Sequence, residues 1–220
     1  MKRSIYYFCS VLFLVSIFSN TILAQENITY PMRFSLYGGA ALPQGDFGSA
    51  NGEKAGYAKT GFCASFEGSK NISESINWVS SVSLALNSVD ESEIESKLSG
   101  VTVSSGNYIT TWAMTGVGFE TVASPSVKIY GIGQMGLLLS SFPDITLSAG
   151  GTSITQTTEM GTAFAYGFGV GIIINKINLG IRYYTGEPEY TESASYGGTT
   201  NTFKAKLPAT ILQLLIGFNL

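Results

Sequence analysis

The chain has 220 residues, with 12 basic and 15 acidic side chains, a net charge of −3 and no histidine. Charged residues make up 12% of it while 45% is apolar, against roughly a quarter charged in ordinary soluble domains. This balance excludes a disordered chain and a nucleic-acid binder built on a basic patch, and the lack of histidine excludes Ser–His and Cys–His catalytic pairs.

The chain opens with Lys2 and Arg3, an apolar run from Ile5 to Phe18, and Ala24 before Gln25 and Glu26. A basic start, an apolar stretch and a small residue at the cleavage position read as a secretory signal peptide over 1–24, with the mature domain at 25–220. Ile22 departs from the small residue preferred there. The alternative is an uncleaved anchor, but the run is shorter than the roughly 20 residues a spanning helix needs. Cys9 lies inside the run rather than at its end, which argues against a lipid anchor. In the mature chain Cys63 stands alone, so no internal disulfide and no metal-ligand spacing is available; it reads as a small, half-buried residue.

From Met32 onward most segments alternate with period two. Phe34, Leu36, Ala40 and Leu42 oppose Arg33, Ser35, Tyr37 and Gly39. Tyr57 to Gly68 sets Ala58, Phe62, Ala64 and Phe66 against Lys59, Gly61, Ser65 and Glu67. Ile76 to Asn87 sets Trp78, Val82, Leu84 and Leu86 against Asn77, Ser81, Ser83 and Asn87. In Tyr108 to Val122, Ile109, Ala113, Val117 and Phe119 oppose Thr110, Trp112, Gly116 and Glu120, less cleanly because Trp112 falls on the small-residue face. Val127 to Phe142 sets Ile129, Met135, Leu137 and Leu139 against Lys128, Tyr130, Gln134 and Ser140. Gly161 to Ile174 alternates large residues such as Phe164, Phe168 and Val170 with Ala163, Ala165, Gly167, Gly169 and Gly171. Ile177 to Thr185 opposes Leu179, Ile181 and Tyr183 to Asn178, Arg182 and Tyr184, and the last segment opposes Leu212, Leu214, Ile216, Phe218 and Leu220 to Gln213, Gly217 and Asn219.

These are eight strands of bilayer-crossing length. Short connections (Ser69 to Ser75, Ala123 to Ser126, Asn175-Lys176) alternate with long ones (Gln44 to Gly56, Ser88 to Asn107, Pro143 to Met160, Glu187 to Pro208). Short periplasmic turns and long external loops suit a transmembrane barrel. The Gly150-Gly151 and Gly197-Gly198 pairs read as loop tips. A soluble barrel or sandwich is the competing architecture, but it would expose a charged face, and here the face opposite the apolar stripe is mostly Gly, Ala, Ser and Asn. The sequence therefore predicts an all-β, eight-stranded antiparallel up-and-down transmembrane β-barrel. Without a spanning helix, only an edge-free sheet pairs every backbone group in lipid, and eight strands leave an interior just wide enough for side chains.

Arg33, Glu67, Glu120 and Lys128 fall on the lumen face near the periplasmic end, with Arg182 further up. A buried charge is costly unless paired, so these read as a structural charge network, with a gate or conducting path as the alternative. The long loops lean acidic, through Asp90, Glu91, Glu93 and Glu95 in the second and Glu187, Glu189 and Glu192 in the fourth. They lack the ordered spacing of a calcium loop and read as a solvated face. Tyr57, Trp78, Trp112, Phe142, Tyr183 and Tyr184 lie near strand ends, where some would join an interfacial girdle.

The C-terminal run Leu212, Leu214, Ile216, Gly217, Phe218, Leu220 resembles the terminal strand that barrel-assembly machinery recognises, with Leu220 in place of the usual final aromatic. Together with the leader and the strand pattern, the mature chain resembles the small outer-membrane barrels of the OmpX, OmpW and OmpA membrane-domain type. The resemblance implies an integral Gram-negative outer-membrane location, with outer-membrane lipid and the assembly machinery as partners, no nucleic acid and no cofactor, and it carries over no catalytic residue. Three roles are compatible with it: a structural or surface-interaction barrel, a narrow passage for small or apolar molecules, and an accessory part of an envelope complex with an unidentified protein partner.

Overall fold

The computed structural model describes residues 32–196 and 199–220. The leader at 1–24, the start of the mature chain and the Gly197-Gly198 pair lie outside the described residues. In chain order the strands are β1 (Met32–Pro43), β2 (Gly61–Asn71), β3 (Ile76–Ser88), β4 (Thr102–Ser105), β5 (Asn107–Ser124), β6 (Val127–Ser141), β7 (Ile145–Ala149), β8 (Thr152–Thr158), β9 (Gly161–Ile174), β10 (Ile177–Gly186), β11 (Glu189–Tyr196), β12 (Thr199–Lys206) and β13 (Ala209–Asn219), with helix α1 (Glu91–Lys97) between β3 and β4.

Eight of these strands form the wall. β1, β2, β3, β5, β6, β9, β10 and β13 pair antiparallel in that order, and β13 pairs back onto β1. Closure leaves the wall without a free edge, the condition lipid imposes on a sheet. The pleat then sorts side chains by parity. Phe62, Phe66, Val117, Met135, Phe168, Ile181 and Ile216 are exposed on the outer surface, while Ser65, Ser83, Gln134, Arg182 and Gln213 are buried inside. An apolar belt of this extent is far larger than water-soluble surfaces carry, and lipid is the solvent that suits it.

The structure moves some boundaries. β2 begins at Gly61 rather than Tyr57 and runs on to Asn71. Tyr57 has a left-handed backbone (φ 52), and Ala58 makes only an isolated bridge to Val89, so the chain before Gly61 belongs to the first external connection. The third and fourth long connections are largely strand, and the second holds α1 and the short β4. β4, β7, β8, β11 and β12 form an antiparallel sheet above the wall, joined to β9 where Glu189 pairs with Thr162. Its strands are rich in threonine and serine on both faces, so they carry sheet propensity without an apolar stripe. The β7–β8 hairpin turns at Gly150 and Gly151, both at positive φ (56 and 82).

Among the described residues Asn175 is the other non-glycine residue with positive φ (56), in the two-residue turn between β9 and β10. Asparagine tolerates this region because its short polar side chain finds local partners, whereas a β-branched residue meets the following carbonyl. Asn175→Val is expected to cost about 1–2 kcal/mol and Asn175→Gly close to nothing, measured by urea titration of the barrel in lipid vesicles.

Candidate functional site

The lumen is built in layers. At the periplasmic end the start of β1, the end of β5 and the start of β6 bring Arg33, Glu120 and Lys128 together. Arg33 grips the Glu120 carboxylate with both terminal nitrogens, Nη1 to Oε1 at 3.1 Å and Nη2 to Oε2 at 2.6 Å. Lys128 Nζ reaches Oε1 of the same group at 2.7 Å. Arg33 and Lys128 remain partly exposed (29% and 43%) while Glu120 is 9% exposed. Above this cluster is a cavity of about 20 Å³ lined by residues that include Ser69, Asn77, Tyr130 and Asn178, room for a water molecule and not for a solute path.

The second charged layer is enclosed. Arg182 Nη2 lies 2.6 Å from Glu67 Oε2, with the arginine wholly buried and the glutamate 10% exposed. The guanidinium sits over the Tyr37 ring, 4.7 Å from its centroid. Among the described residues none of its three nitrogens has an aligned hydrogen-bond acceptor, so the pair is held by charge proximity. A directed chain ends on the same carboxylate. Tyr130 OH donates to Asn178 Oδ1 (2.9 Å), Asn178 Nδ2 to Tyr37 OH (2.7 Å), and Tyr37 OH to Glu67 Oε1 (3.2 Å). The five lumen charges read from sequence thus lie inside the wall as two separate clusters, Arg33–Glu120–Lys128 and Glu67–Arg182. β9 makes room for the second, since a Cβ at Gly169 would lie 2.9 Å from Arg182 Cγ and one at Gly171 would meet the Tyr130 hydroxyl.

Further up the filling is neutral. Tyr184 OH donates to Gln134 Oε1 (3.0 Å), Gln134 Nε2 to Ser81 Oγ (3.2 Å) and Gln213 Nε2 to Ser83 Oγ (2.9 Å). Trp112 stacks on Tyr184, with centroids 5.5 Å apart, and Leu138 and Ile211 are fully buried in the same cluster. The external mouth is closed by edge-to-face rings running Phe47, Tyr108, Phe142, Tyr190. Phe47 comes from a 3-10 turn (Gly45–Phe47) in the first external connection, which Tyr108 OH ties down by donating to Gly56 O at 2.7 Å. Of the aromatics assigned to strand ends, Trp78 and Tyr183 face outward, Trp112 and Tyr184 fill the lumen, and Tyr57 lies in the external cap under Lys97.

No family model matches the chain, and no curated sequence matches it significantly. Solved structures do. A major outer membrane protein from Thermus thermophilus superposes with a TM-score of 0.53 at 10% identity, over 87% of this chain and 100% of that one. The fold is that of the small outer-membrane β-barrels. Ail, the attachment invasion locus protein of Yersinia pestis (TM-score 0.47, 12% identity, 88% of this chain and 100% of that chain), and Neisserial surface protein A (0.45, 13%, 86% and 96%) are also similar in structure.

In this barrel the terminal segment Leu212, Leu214, Ile216, Gly217, Phe218, Leu220 forms most of β13, the strand that closes the wall between β10 and β1. A Cβ at Gly217 would strike the Tyr37 ring, so that glycine serves lumen packing. The external acidic residues are largely engaged. Lys54 pairs with Glu187 and Lys204 with Glu189, each at 2.7 Å, and Asp90 caps α1 by accepting from Glu93 N. Hydrogen bonds from the Ser92 hydroxyl and the Glu93 N–H, with Lys59 nearby, hold the Asp90 carboxyl below the usual carboxylate range.

The shared carboxylate makes the lower cluster measurable. Glu120→Ala is expected to cost about 1.5–3 kcal/mol, the range for hydrogen bonds to charged groups, because the two cations left behind can still reach water. Removing Lys128 together with Glu120 should cost less than the two single losses added, with a coupling of about 0.5–1 kcal/mol. Strict additivity in vesicle unfolding would show that the pair is not coupled.

Proposed function

We propose that this protein is an integral outer-membrane barrel with a structural or surface-interaction role and no catalytic activity. The observation that carries this reading is the lumen, filled from end to end. Trp112, Leu138, Arg182, Tyr184, Ile211 and Gln213 are each fully buried within it, while a five-stranded sheet stands outside the wall. An outer-membrane location is supported by the continuous apolar belt and its aromatic members. The lack of catalysis is supported by the absence of histidine and by the engagement of both lumen carboxylates in ion pairs. On this reading the two charge clusters are structural, β13 is the strand presented to the assembly machinery, and the external sheet meets a protein partner.

Single-channel recording from the purified barrel in planar bilayers tests the proposal. A silent barrel is the expected result. Reproducible conductance steps that change with Glu67→Ala would replace the structural reading with that of a gated passage. Crosslinking and recovery of the intact protein from its own envelope tests the partner, and recovery within a stoichiometric envelope complex would favour an accessory role.

A further inference from the structure

The external sheet ends on one side at β4, whose only strand partner among the described residues is β7. In an antiparallel pair, alternate residues bond the neighbour and the others turn their backbone groups away. On β4 the N–H groups of Val103 and Ser105 point away from β7, and both are covered. Val103 N donates to Glu95 Oε1 at 2.8 Å, and Ser105 donates to Glu91 Oε1 from its backbone N at 2.6 Å and from its hydroxyl at 2.9 Å. Both carboxylates come from α1. Four residues of helix rise about 6 Å, and two residues of strand advance about 6.7 Å, so Glu91 and Glu95 match the repeat of the edge beside them. The helix occupies the place of a missing strand, with side chains standing in for a backbone.

The polar ties of the cover to the rest of the barrel, β4 aside, are at its ends. Asp90 N donates to Tyr57 O at 2.7 Å, Lys59 pairs with Asp90 at 3.4 Å, and Lys97 Nζ donates to Ala50 O and lies over the Tyr57 ring. α1 has no fully buried residue, and Ile94 is its one partly buried apolar side chain packed against the barrel's core cluster, so little apolar packing holds it down.

We propose that α1 is a displaceable cover over a strand-pairing edge, and that the occupant of the uncovered edge is β4 of a second copy of this chain. Bare edges are templates for strand addition. This one is complementary to itself: a two-fold axis at Ser104 pairs Val103 of one copy with Ser105 of the other and the reverse, which uses both outward-facing residues at once. Thr102, Val103, Ser104 and Ser105 carry no charge. The charges that would repel a second copy at this edge, those of Glu91, Glu93 and Glu95, belong to the cover.

The test uses the full mature barrel in detergent and compares wild type with Glu91→Ala/Glu95→Ala by sedimentation, with circular dichroism confirming the folded barrel. The expected result is a monomeric wild type and a double variant that dimerises at least tenfold more tightly. Adding Val103→Pro, which removes an outward donor and leaves the β7 ladder intact, should return the double variant to monomer. A folded double variant that stays monomeric at every concentration overturns the proposal, and so does a dimer that persists with Val103→Pro. Hydrogen exchange gives a second reading. In the double variant the Val103 and Ser105 amides should exchange faster than in wild type when dilute, and regain protection as concentration rises. Exchange independent of concentration overturns the proposal.

Discussion

Glu67→Ala is expected to destabilise the barrel by about 3–5 kcal/mol, read from urea titration in lipid vesicles. The magnitude follows from what remains. Arg182 is wholly buried and Glu67 is the carboxylate beside it, 2.6 Å away. With that group gone the guanidinium retains the face of Tyr37, and a desolvated cation over an aromatic ring recovers about 2 kcal/mol, which offsets only part of an unpaired buried charge. The loss is compounded because Tyr37, Asn178 and Tyr130 donate in series toward the same carboxylate, so the chain loses its terminal acceptor. Glu67→Ala combined with Arg182→Leu should recover much of the stability, since replacing a buried ion pair by apolar groups is often neutral whereas breaking it is not. Equal destabilisation in the single and double variants would mean that Glu67 matters for packing and not for charge. The contrast with Glu120→Ala is itself a check, because the cations at the periplasmic end can turn to water and Arg182 cannot.

The wall was legible because lipid on one side and a narrow lumen on the other impose opposite demands on neighbouring residues. In β9 this reads directly as large-small alternation, and the small members are the ones whose space Tyr184, Arg182 and Tyr130 occupy. The inward parity of the five lumen charges followed from the same rule. Which cation meets which carboxylate did not, because that depends on stagger between strands distant in sequence: Arg33 and Glu120 are 87 residues apart. Trp112 looked out of place on a small-residue face because sequence does not show that it stacks on Tyr184, for which Gly167 of β9 leaves the room. The external sheet was hidden for a different reason. Its strands are polar on both faces apart from single buried residues such as Val103 and Tyr190, so period two leaves little contrast, and the signal that was available lay in the β-branched run Thr152–Thr158 and in the Gly150-Gly151 turn. The roles of Glu91 and Glu95 were invisible for want of β4: an acidic run with no known neighbour reads as a solvated face, and only the strand edge beside it gives two of its members a specific task.

Phe168→Arg should destabilise the barrel by about 2–4 kcal/mol, the cost of a cation near the bilayer midplane. Phe168 is 60% exposed on the outer surface, midway along β9, and pairs with Gly133 on one side and Tyr183 on the other. Its ring stacks on Tyr183 at 5.2 Å, so the substitution also removes an aromatic contact worth about 0.5–1.5 kcal/mol. The outward side chains around it are apolar for several residues in each direction, from Phe164 and Tyr166 to Val170 and Ile172, and an arginine there has no partner on the wall and must stretch toward a headgroup. Position sets the size of the effect. The same change at Ile174, beside the periplasmic turn, should cost about 0–1 kcal/mol because the guanidinium reaches the interface. The ratio between the two sites therefore measures depth, and it can be read in vesicles by urea titration without any assay of function. Equal costs at the two positions would place Phe168 at the interface, and a cost near zero at Phe168 would turn β9 by one residue and put its glycines in the lipid.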